Sequence, residues 1–299
     1  MIFRLLAACL LAFVLALPAS AKKKEADAAP TVAPPLYKIA DEDSALYLFG
    51  TIGAPAADRN WRTRAVARAI DRSETMWFEA PVDDPLAMET ANRIFTERGR
   101  AAGGVALSSL LDAESRAALE AAAAASGLSM EALDPLRPWA AFVLLSGRVH
   151  QGAEGEPAEA ALLAEAKGRG RPVRHLFSIE DSLGLLTELP PAAERDLLES
   201  FARDFARQRV QADADFAAWA AGDLQAIDAS LNAPLRTAAP TVFEKLVAER
   251  TLAIADRLAV ILSEPGTAFV ALNAGYLVGA DALPDALAAR GFVVERISE

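Results

Sequence analysis

The feature that most constrains this chain is an apolar stretch near its C-terminal end, Ala268–Leu272. The stretch is too short for a helix, and an uninterrupted apolar run of this length is typical of a strand covered on both faces. It ends at Asn273-Ala274-Gly275, which has the composition of a strand-to-loop corner and is followed by Tyr276. Ligands of open α/β sheets bind at the carboxyl ends of strands, so any functional site is expected at this corner.

A second apolar strand of the same design lies near the other end of the chain. The sequence LYLFGTIG, from Leu46 to Gly53, closes on Gly50 and continues through Thr51 to a second glycine. Two such strand ends predict that the first and last strands of the domain lie near each other in one sheet.

The first 21 residues predict a secretory signal peptide that is cut before Lys22. Arg4 precedes the apolar core Leu5–Leu17, and Ala19-Ser20-Ala21 forms a small-x-small cleavage site. An uncleaved membrane anchor is the alternative, but this core is shorter than the roughly 18 to 20 residues that span a bilayer. We therefore expect export to the periplasm or the extracellular space, with no stable membrane span after cleavage.

Composition excludes several classes of function. Cys9 is the only cysteine and would be removed with the signal, which excludes disulfides, a thiol nucleophile and Cys-ligated zinc. The net charge is −11, and becomes −12 when Arg4 is removed. A nucleic-acid-binding protein is expected to have a basic face, so no nucleic-acid partner is expected.

The remaining chain predicts one α/β domain after a short linker. Residues 22–35 are charged and then rich in Ala and Pro, which predicts a disordered tether. Residues 36–299 predict a β-hairpin, a helix and a strand, followed by a helical insertion over about 84–170. After the insertion come a strand, further helices, a strand, a helix and a last strand. This order predicts a mixed β-sheet with flanking helices. The later boundaries are predicted as strands Thr75–Phe78 and Arg171–Phe177, and helices from Pro191 to Ala220 and from Thr241 to Ser263.

Polar side chains at the predicted strand ends are the candidates for chemistry. They are Thr51, Glu79, His175, Asn273 and Tyr276. Glu79 closes the apolar run Met76-Trp77-Phe78, and an unpaired buried carboxylate is costly. Its side chain must therefore either reach water in a cleft or form an ion pair with an arginine such as Arg137 or Arg250.

Other titratable residues are expected to have structural roles. His175 shares a strand face with Phe177. It is either a ligand of the site or a structural histidine whose hydrogen bonds are made within the fold at the edge of the sheet. His150 and His175 are the only histidines, too few to form the usual zinc site by themselves. Four acidic residues on alanine-rich helices are expected to be solvated: Glu159, Glu165, Asp213 and Asp215.

Six segments, in this order, carry a family resemblance: LYLFGTIG, SETMWFEA, LRPWAAFVLL, RPVRHLF before SIEDSL, KLVAERTLAIADRL and NAGYLVGADALPDALAARGFVV. Together they resemble the TraB/GumN family, which includes the Tiki-type proteases. The resemblance covers nearly the whole predicted mature chain. It implies a fold shared with the erythromycin-esterase and ChaN-like proteins, and in Tiki-like members a divalent metal.

The resemblance also implies that the metal ligands of the family are absent here. Tiki-like members carry two Gly-x-x-His motifs. In this chain the two histidine positions hold Gly53 and Tyr276, and a further family glutamate corresponds to Phe177. Glycine offers no side-chain donor, and a neutral phenol is a poor ligand for a divalent ion.

Other family positions are retained. They are the acidic residue Glu79, together with Arg137, Trp139 and Arg250, while the asparagine that usually follows the last arginine is Thr251.

Three hypotheses follow. The leading one is an exported, non-catalytic binding or accessory protein of the cell envelope, without cofactor, whose partner is an envelope protein or a small polar or anionic ligand. That ligand would lie in a cleft formed by Glu79, Tyr276, Arg137, Arg250 and Asn273, with Thr51 and His175 beside it. The rival is a metal-dependent or Glu-based, protease-like hydrolase, with Glu79 as general base and Tyr276 or Asn273 stabilising charge. The third is a homo-oligomer surface on the long helices.

Overall fold

A computed structural model describes residues 32–53, 61–151 and 155–298. The predicted signal peptide and most of the predicted tether lie outside these residues. The last residues of the predicted tether contact the folded domain, since Ala33 N donates to Ala220 O and Gly50 N donates to Pro35 O. No helix in the described ranges combines the length and the apolar character needed to cross a bilayer.

Six strands form one mixed sheet. They are β1 Leu36–Ala40, β2 Ser44–Thr51, β3 Thr75–Phe78, β4 Val173–His175, β5 Gly266–Asn273 and β6 Val294–Arg296. The strand order is β4-β3-β5-β2-β1-β6. Strands β2, β5, β3 and β4 are parallel, while β1 is antiparallel to both β2 and β6. The α/β class and the mixed sheet predicted from the sequence are confirmed.

Helices flank the sheet on both faces. Their bounds are α1 Arg64–Arg72, α2 Pro85–Arg98, α3 Ala113–Ala125, α4 Met130–Leu133, α5 Pro138–Ser146, α6 Ala158–Gly168, α7 Ile179–Thr187, α8 Pro191–Ala221, α9 Leu224–Leu231, α10 Ala233–Ala238, α11 Pro240–Phe243, α12 Glu249–Leu262 and α13 Leu283–Ala288. Helices α2 to α6 lie between β3 and β4 in the chain. Asp112 accepts a hydrogen bond from Ser115 N and begins α3, as a capping aspartate does.

The central strand β5 is covered on both faces, as its apolar sequence predicts. Val270 and Leu272 belong to a core shared with α2, α5, α7, α8 and α12, which we call the first face. Phe269 and Ala271 belong to a separate core with α1, α6 and the end of α8, the second face. Because the sheet has two buried faces, its carboxyl edge is where polar side chains can gather.

The prediction that the distant strands Leu46–Gly50 and Ala268–Leu272 share one sheet is confirmed. They lie side by side in parallel, with Gly50 opposite Leu272 and Thr51 opposite Asn273. The approach is close, since a Cβ on Gly50 would lie 2.8 Å from Leu277 Cδ1 and 3.3 Å from Ala274 Cα. A side chain at position 50 would therefore press on the corner after β5, and glycine lets this corner pack closely against β2.

Two predicted element boundaries are wrong. The predicted strand Arg171–Phe177 is shorter, because β4 leaves the sheet after His175 and Ser178 begins α7. The predicted helix from Thr241 to Ser263 is interrupted by a π-helical segment at Glu244–Ala248, between α11 and α12. A π-helical turn adds a residue to the helical repeat and so changes which side chains share a face, an effect that hydrophobic spacing does not show.

Candidate functional site

The carboxyl edge of the parallel strands brings distant parts of the chain together. Strands β2, β5 and β3 end at Thr51, Asn273 and Phe78, and β3 lies beside β5. Side chains alternate between faces along a strand. Trp77 packs in the first-face core and Phe78 in the second, so the next residue, Glu79, follows on the side of the first face.

Glu79 is the centre of a three-residue contact at this edge. Its Oε1 accepts hydrogen bonds from Arg250 Nε at 3.1 Å and from the Tyr276 hydroxyl at 3.2 Å. Arg250 Nη2 lies 3.0 Å from the same oxygen, and the Arg250 side chain is only 4% exposed. Of the two arginines that the sequence offered as ion-pair partners, Arg250 is therefore the one that pairs with Glu79.

Arg250 makes further contacts on the first face. Its Nη2 donates to Ser182 Oγ of α7 at 3.2 Å. Its guanidinium carbon lies 3.2 Å from the ring centroid of Phe177, and the guanidinium of Arg257 lies 4.4 Å from the same ring. The aromatic side chain at position 177 is thus held by two cations, an arrangement that is favourable when it is partly desolvated.

The short 3₁₀ helix Ala274–Leu277 places Tyr276. Asn273 Oδ1 accepts a hydrogen bond from Gly275 N at 2.8 Å, which closes the turn after β5. The ring of Tyr276 is buried, and burial followed by the negative charge of Glu79 raises the pKa of its phenol well above 10. The side chain therefore acts at this site as a neutral hydrogen-bond donor.

A carboxyl group that the sequence interpretation set aside lies on the second face at the same edge. Thr51 Oγ1 lies 3.3 Å from Glu159 Oε2 of α6 and donates to Leu272 O at 3.0 Å. Burial, and secondly the negative charge of Glu79, raise the pKa of Glu159 to about 7. The prediction that Glu159 is solvated is wrong, because α6 packs its Ala158 and Leu162 into the second-face core.

Sequence reasoning missed three residues of this edge: Glu159, Ser182 and Arg257. Glu159 precedes two alanines on an alanine-rich helix, a pattern that does not distinguish a buried face from a solvated one. Ser182 belongs to α7, a helix for which the sequence analysis gave no bounds. The signal that could have found Arg257 is its spacing of seven from Arg250, two helical turns along one face.

Two other predicted site residues lie in different surroundings. Arg137 pairs with the buried carboxylate of Glu194 and donates to Thr187 O at 3.3 Å. Its guanidinium thus joins the start of α5 to α7 and α8, and within the described residues no hydrogen bond or ion pair joins it to Glu79. Arg137 is therefore bound within the fold.

His175 ends β4 at the edge of the sheet. Its Nε2 is buried without a hydrogen-bond partner in the described part of the chain. Burial lowers the pKa of its imidazole, an effect that the nearby charges of Asp83 and Asp84 partly oppose. The residue pairs with Phe78 in the strand register, one position before Glu79. Within the described residues, no hydrogen bond joins His175 to Glu79, Arg250 or Tyr276.

The family is decided by the extent of the match between this chain and a known sequence family. The model of the TraB/PrgY/gumN family matches residues 35–296, which is nearly the whole chain. The chain belongs to the TraB/PrgY/gumN family. No curated protein matches it, and no solved structure matches it. The finer comparison with the erythromycin-esterase and ChaN-like folds stays a prediction.

The metal that the family resemblance implies can be tested against the donors at this edge of the TraB/PrgY/gumN domain. A Cβ on Gly53 would meet no atom within 4 Å, so this position has space but no donor. One oxygen of Glu79 is bound to Arg250 and Tyr276, and the phenol of Tyr276 is neutral. Among the described residues, no three His, Cys, Asp or Glu side chains gather so as to hold a metal ion. This donor set does not fit a divalent metal.

Proposed function

We propose that this member of the TraB/PrgY/gumN family is an exported binding or accessory protein of the cell envelope, whose carboxyl-edge site is non-catalytic. The observation that carries the proposal is the contact between Glu79, Arg250 and Tyr276. The carboxylate that would serve as a metal ligand or a general base is neutralised by a buried guanidinium instead. Export is inferred from the N-terminal sequence, which has the three parts of a signal peptide.

The unused guanidinium donor of Arg250 favours a polar or anionic ligand. Arg250 is a buried cation whose pairing with Glu79 uses Nε and Nη2, and no recorded hydrogen bond within the described residues uses Nη1. Guanidinium groups bind carboxylates and phosphates through charge-assisted hydrogen bonds. Thr51, Asn273 and Tyr276 contribute their polar atoms mainly to the fold, so Arg250 is the group that remains for a ligand.

The metal content of the purified protein tests the proposal that the carboxyl-edge site is non-catalytic. After dialysis against zinc and manganese in turn, we expect well under one equivalent of either metal per chain. The Glu79→Ala variant should give the same result. Close to one equivalent in the wild type, lost in Glu79→Ala, would overturn the proposal.

A Glu-based hydrolase is the second candidate, and Glu159 is the observation that favours it. Its pKa of about 7 lets the carboxyl hold a proton near neutral pH, and the charge of Glu79 contributes to that shift. Two carboxyl groups in different protonation states are the usual arrangement for general acid and base catalysis. In this candidate Glu159 supplies the proton and Glu79 is the charged partner.

The two candidates differ in what they predict for turnover. A fluorescein-labelled casein and a p-nitrophenyl ester serve as general probes of hydrolysis. The binding-protein proposal predicts no turnover above that of the Glu79→Gln, Glu159→Gln double variant. Turnover that survives a chelator and disappears in Glu159→Gln alone would favour the hydrolase.

A further inference from the structure

A cavity of about 660 Å³ lies beside the carboxyl-edge site, on the first face of the sheet. Its walls come from α2, α7, the π-helical segment and α12, and Arg250 and Phe177 belong to its lining. Sites for small organic molecules have volumes of about 300 to 1,000 Å³. The cavity is therefore large enough for such a molecule and touches the guanidinium that binds Glu79.

Two arginines of the cavity have guanidinium N–H groups that are free to bind a ligand. Arg250 is 4% exposed, and its Nη1 makes no recorded hydrogen bond with any described residue. Arg98, at the end of α2, is exposed and its guanidinium has no ion pair within the described ranges. The three other cations of the lining are paired: Arg93 with Glu97, Lys245 with Glu249 and Arg257 with Asp181.

The acidic residues of the lining are on its outer side. Asp181 accepts from Ser178 N in the capping box of α7, so its carboxylate is engaged at the helix start as well as with Arg257. Glu180 and Glu188 are exposed on the same helix. At the buried end of the cavity Arg250 offers its Nη1, although its charge is balanced by Glu79. Glu180 and Glu188 form no ion pair with a described residue and face solvent.

The rest of the buried wall is apolar. Ile94, Phe177 and Leu189 are buried residues of the first-face core, and the partly buried Leu185 packs against that core. A ligand that fills this wall needs an apolar body, and a ligand that meets Arg250 needs an acidic group.

We propose that the cavity binds an organic anion, with an apolar body against Phe177, Leu185 and Leu189 and a carboxylate or phosphate held by Arg250 and Arg98. This inference rests on the binding function proposed above and names its ligand class and its place. The π-helical segment contributes Lys245 to the cavity wall, about one helical turn before Arg250. Such segments are frequent at functional sites.

Calorimetric titration with matched probes tests the proposal. The probes are 4-phenylbutyrate, phenyl phosphate, inorganic phosphate and 4-phenylbutylamine, which keeps the apolar body and reverses the charge. We expect one equivalent of at least one aromatic anion to bind, and the stronger of the two identifies a carboxylate or a phosphate as the preferred group. Binding of inorganic phosphate and of the amine should be at least tenfold weaker, because each lacks one half of the recognition.

Two variants place the binding in the cavity. Gly184 lines it within α7, and a Cβ there would meet only Glu188 Oε1, at 3.8 Å, so Gly184→Leu fills the space without a backbone clash. We expect Gly184→Leu to abolish binding and Arg98→Gln to weaken it about two- to fivefold, as loss of an exposed charge contact does. The matched control is Arg64→Gln, an exposed arginine on α1 of the opposite face, which should bind like the wild type.

The proposal is overturned if no aromatic anion binds, if 4-phenylbutylamine binds as well as the anions, or if Gly184→Leu binds normally while its thermal unfolding is unchanged. These results are independent of the metal measurement. A protein that holds a metal through Glu79 contradicts the non-catalytic function even when the cavity binds anions. A metal-free protein that binds no anion contradicts only the ligand class.

Discussion

Arg250 Nη2 lies 3.0 Å from Glu79 Oε1, and this ion pair joins α12 to the end of β3, residues that are 171 positions apart in the chain. Both groups are largely removed from water, with 4% and 12% of their side chains exposed. Buried charges cost free energy unless they are paired, so each of these two residues depends on the other. The pair explains why an acidic residue can follow a strand as apolar as β3.

Glu79→Ala should therefore destabilise the fold by about 3 kcal/mol, because it leaves the Arg250 guanidinium buried without its partner. Urea unfolding followed by tryptophan fluorescence measures the change. Glu97→Ala is the control, since Glu97 pairs with Arg93 at 3.7 Å on the surface and should cost under about 1 kcal/mol. Equal stabilities for the two variants would contradict a buried pair.

Tyr276→Phe removes only the hydroxyl that donates to Glu79 at 3.2 Å. We expect a loss of about 1.5 to 3 kcal/mol in the free energy of unfolding, the usual value for a hydrogen bond to a charged group. The double variant with Glu79→Ala should lose less than the sum of the two single variants, because both remove the same contact. Full additivity would mean that the hydroxyl and the carboxylate do not interact in solution.

Glu159 predicts a pH dependence of stability. Its pKa in the folded protein is about 7, above the ordinary value of 4.5, so the folded state holds the proton more tightly than the unfolded state. The stabilisation is fully present below about pH 4.5 and is lost as the pH rises through about 7. Wild-type protein should therefore lose about 2 kcal/mol between pH 5 and pH 8 relative to Glu159→Gln, which has no proton to release.

Urea midpoints at pH 5, 6, 7 and 8 measure this difference. The exposed Glu156 lies just before α6, and Glu156→Gln is the matched control, expected to follow the wild type at every pH. If the profiles of wild type and Glu159→Gln are parallel, Glu159 titrates near its ordinary value and the proton-donor role in the hydrolase candidate fails as well.

Gly50 and Gly53 offer a paired test of the packing at this edge. A Cβ at Gly50 would lie within 3.3 Å of Leu277 and Ala274, whereas one at Gly53 would meet nothing within 4 Å. Gly50→Ala should cost about 1 to 3 kcal/mol through overpacking, and Gly53→Ala under about 0.5 kcal/mol. Thermal unfolding compares the two, and a neutral Gly50→Ala would contradict the close approach of the corner after β5 to β2.

Much of the sheet could be predicted because its pattern is local. Strand β5 has apolar residues facing both cores, and this shows in the sequence as an unbroken apolar run. Strand β3 was predicted at its observed bounds, and Asp112 marks the start of α3 by a capping hydrogen bond that depends on neighbouring residues alone. Where the local signal was ambiguous, as at the π-helical segment, the prediction failed.

Part of the candidate site could be predicted because two of its residues follow strands that the local pattern predicts. Glu79 and Tyr276 lie at strand ends, and the parallel arrangement of β3 and β5 brings strand ends to one edge. Arg250 and Arg137 were equal candidates in the sequence, since nothing local says which helix packs near β3. Glu159 was missed because the sequence of an alanine-rich helix does not distinguish its buried face from its solvated face.

The sequence by itself determined the apolar strands, the glycine corners and the family to which the chain belongs, since each of these is written in short runs of neighbouring residues. Only the tertiary structure decided that Arg250 neutralises Glu79, that Arg137 serves Glu194 instead, and that Glu159 lies beside Thr51. Pairing of charges depends on which helices meet the sheet edge and on how much water they exclude there. Those are properties of packing between distant segments, which residue type and spacing do not fix.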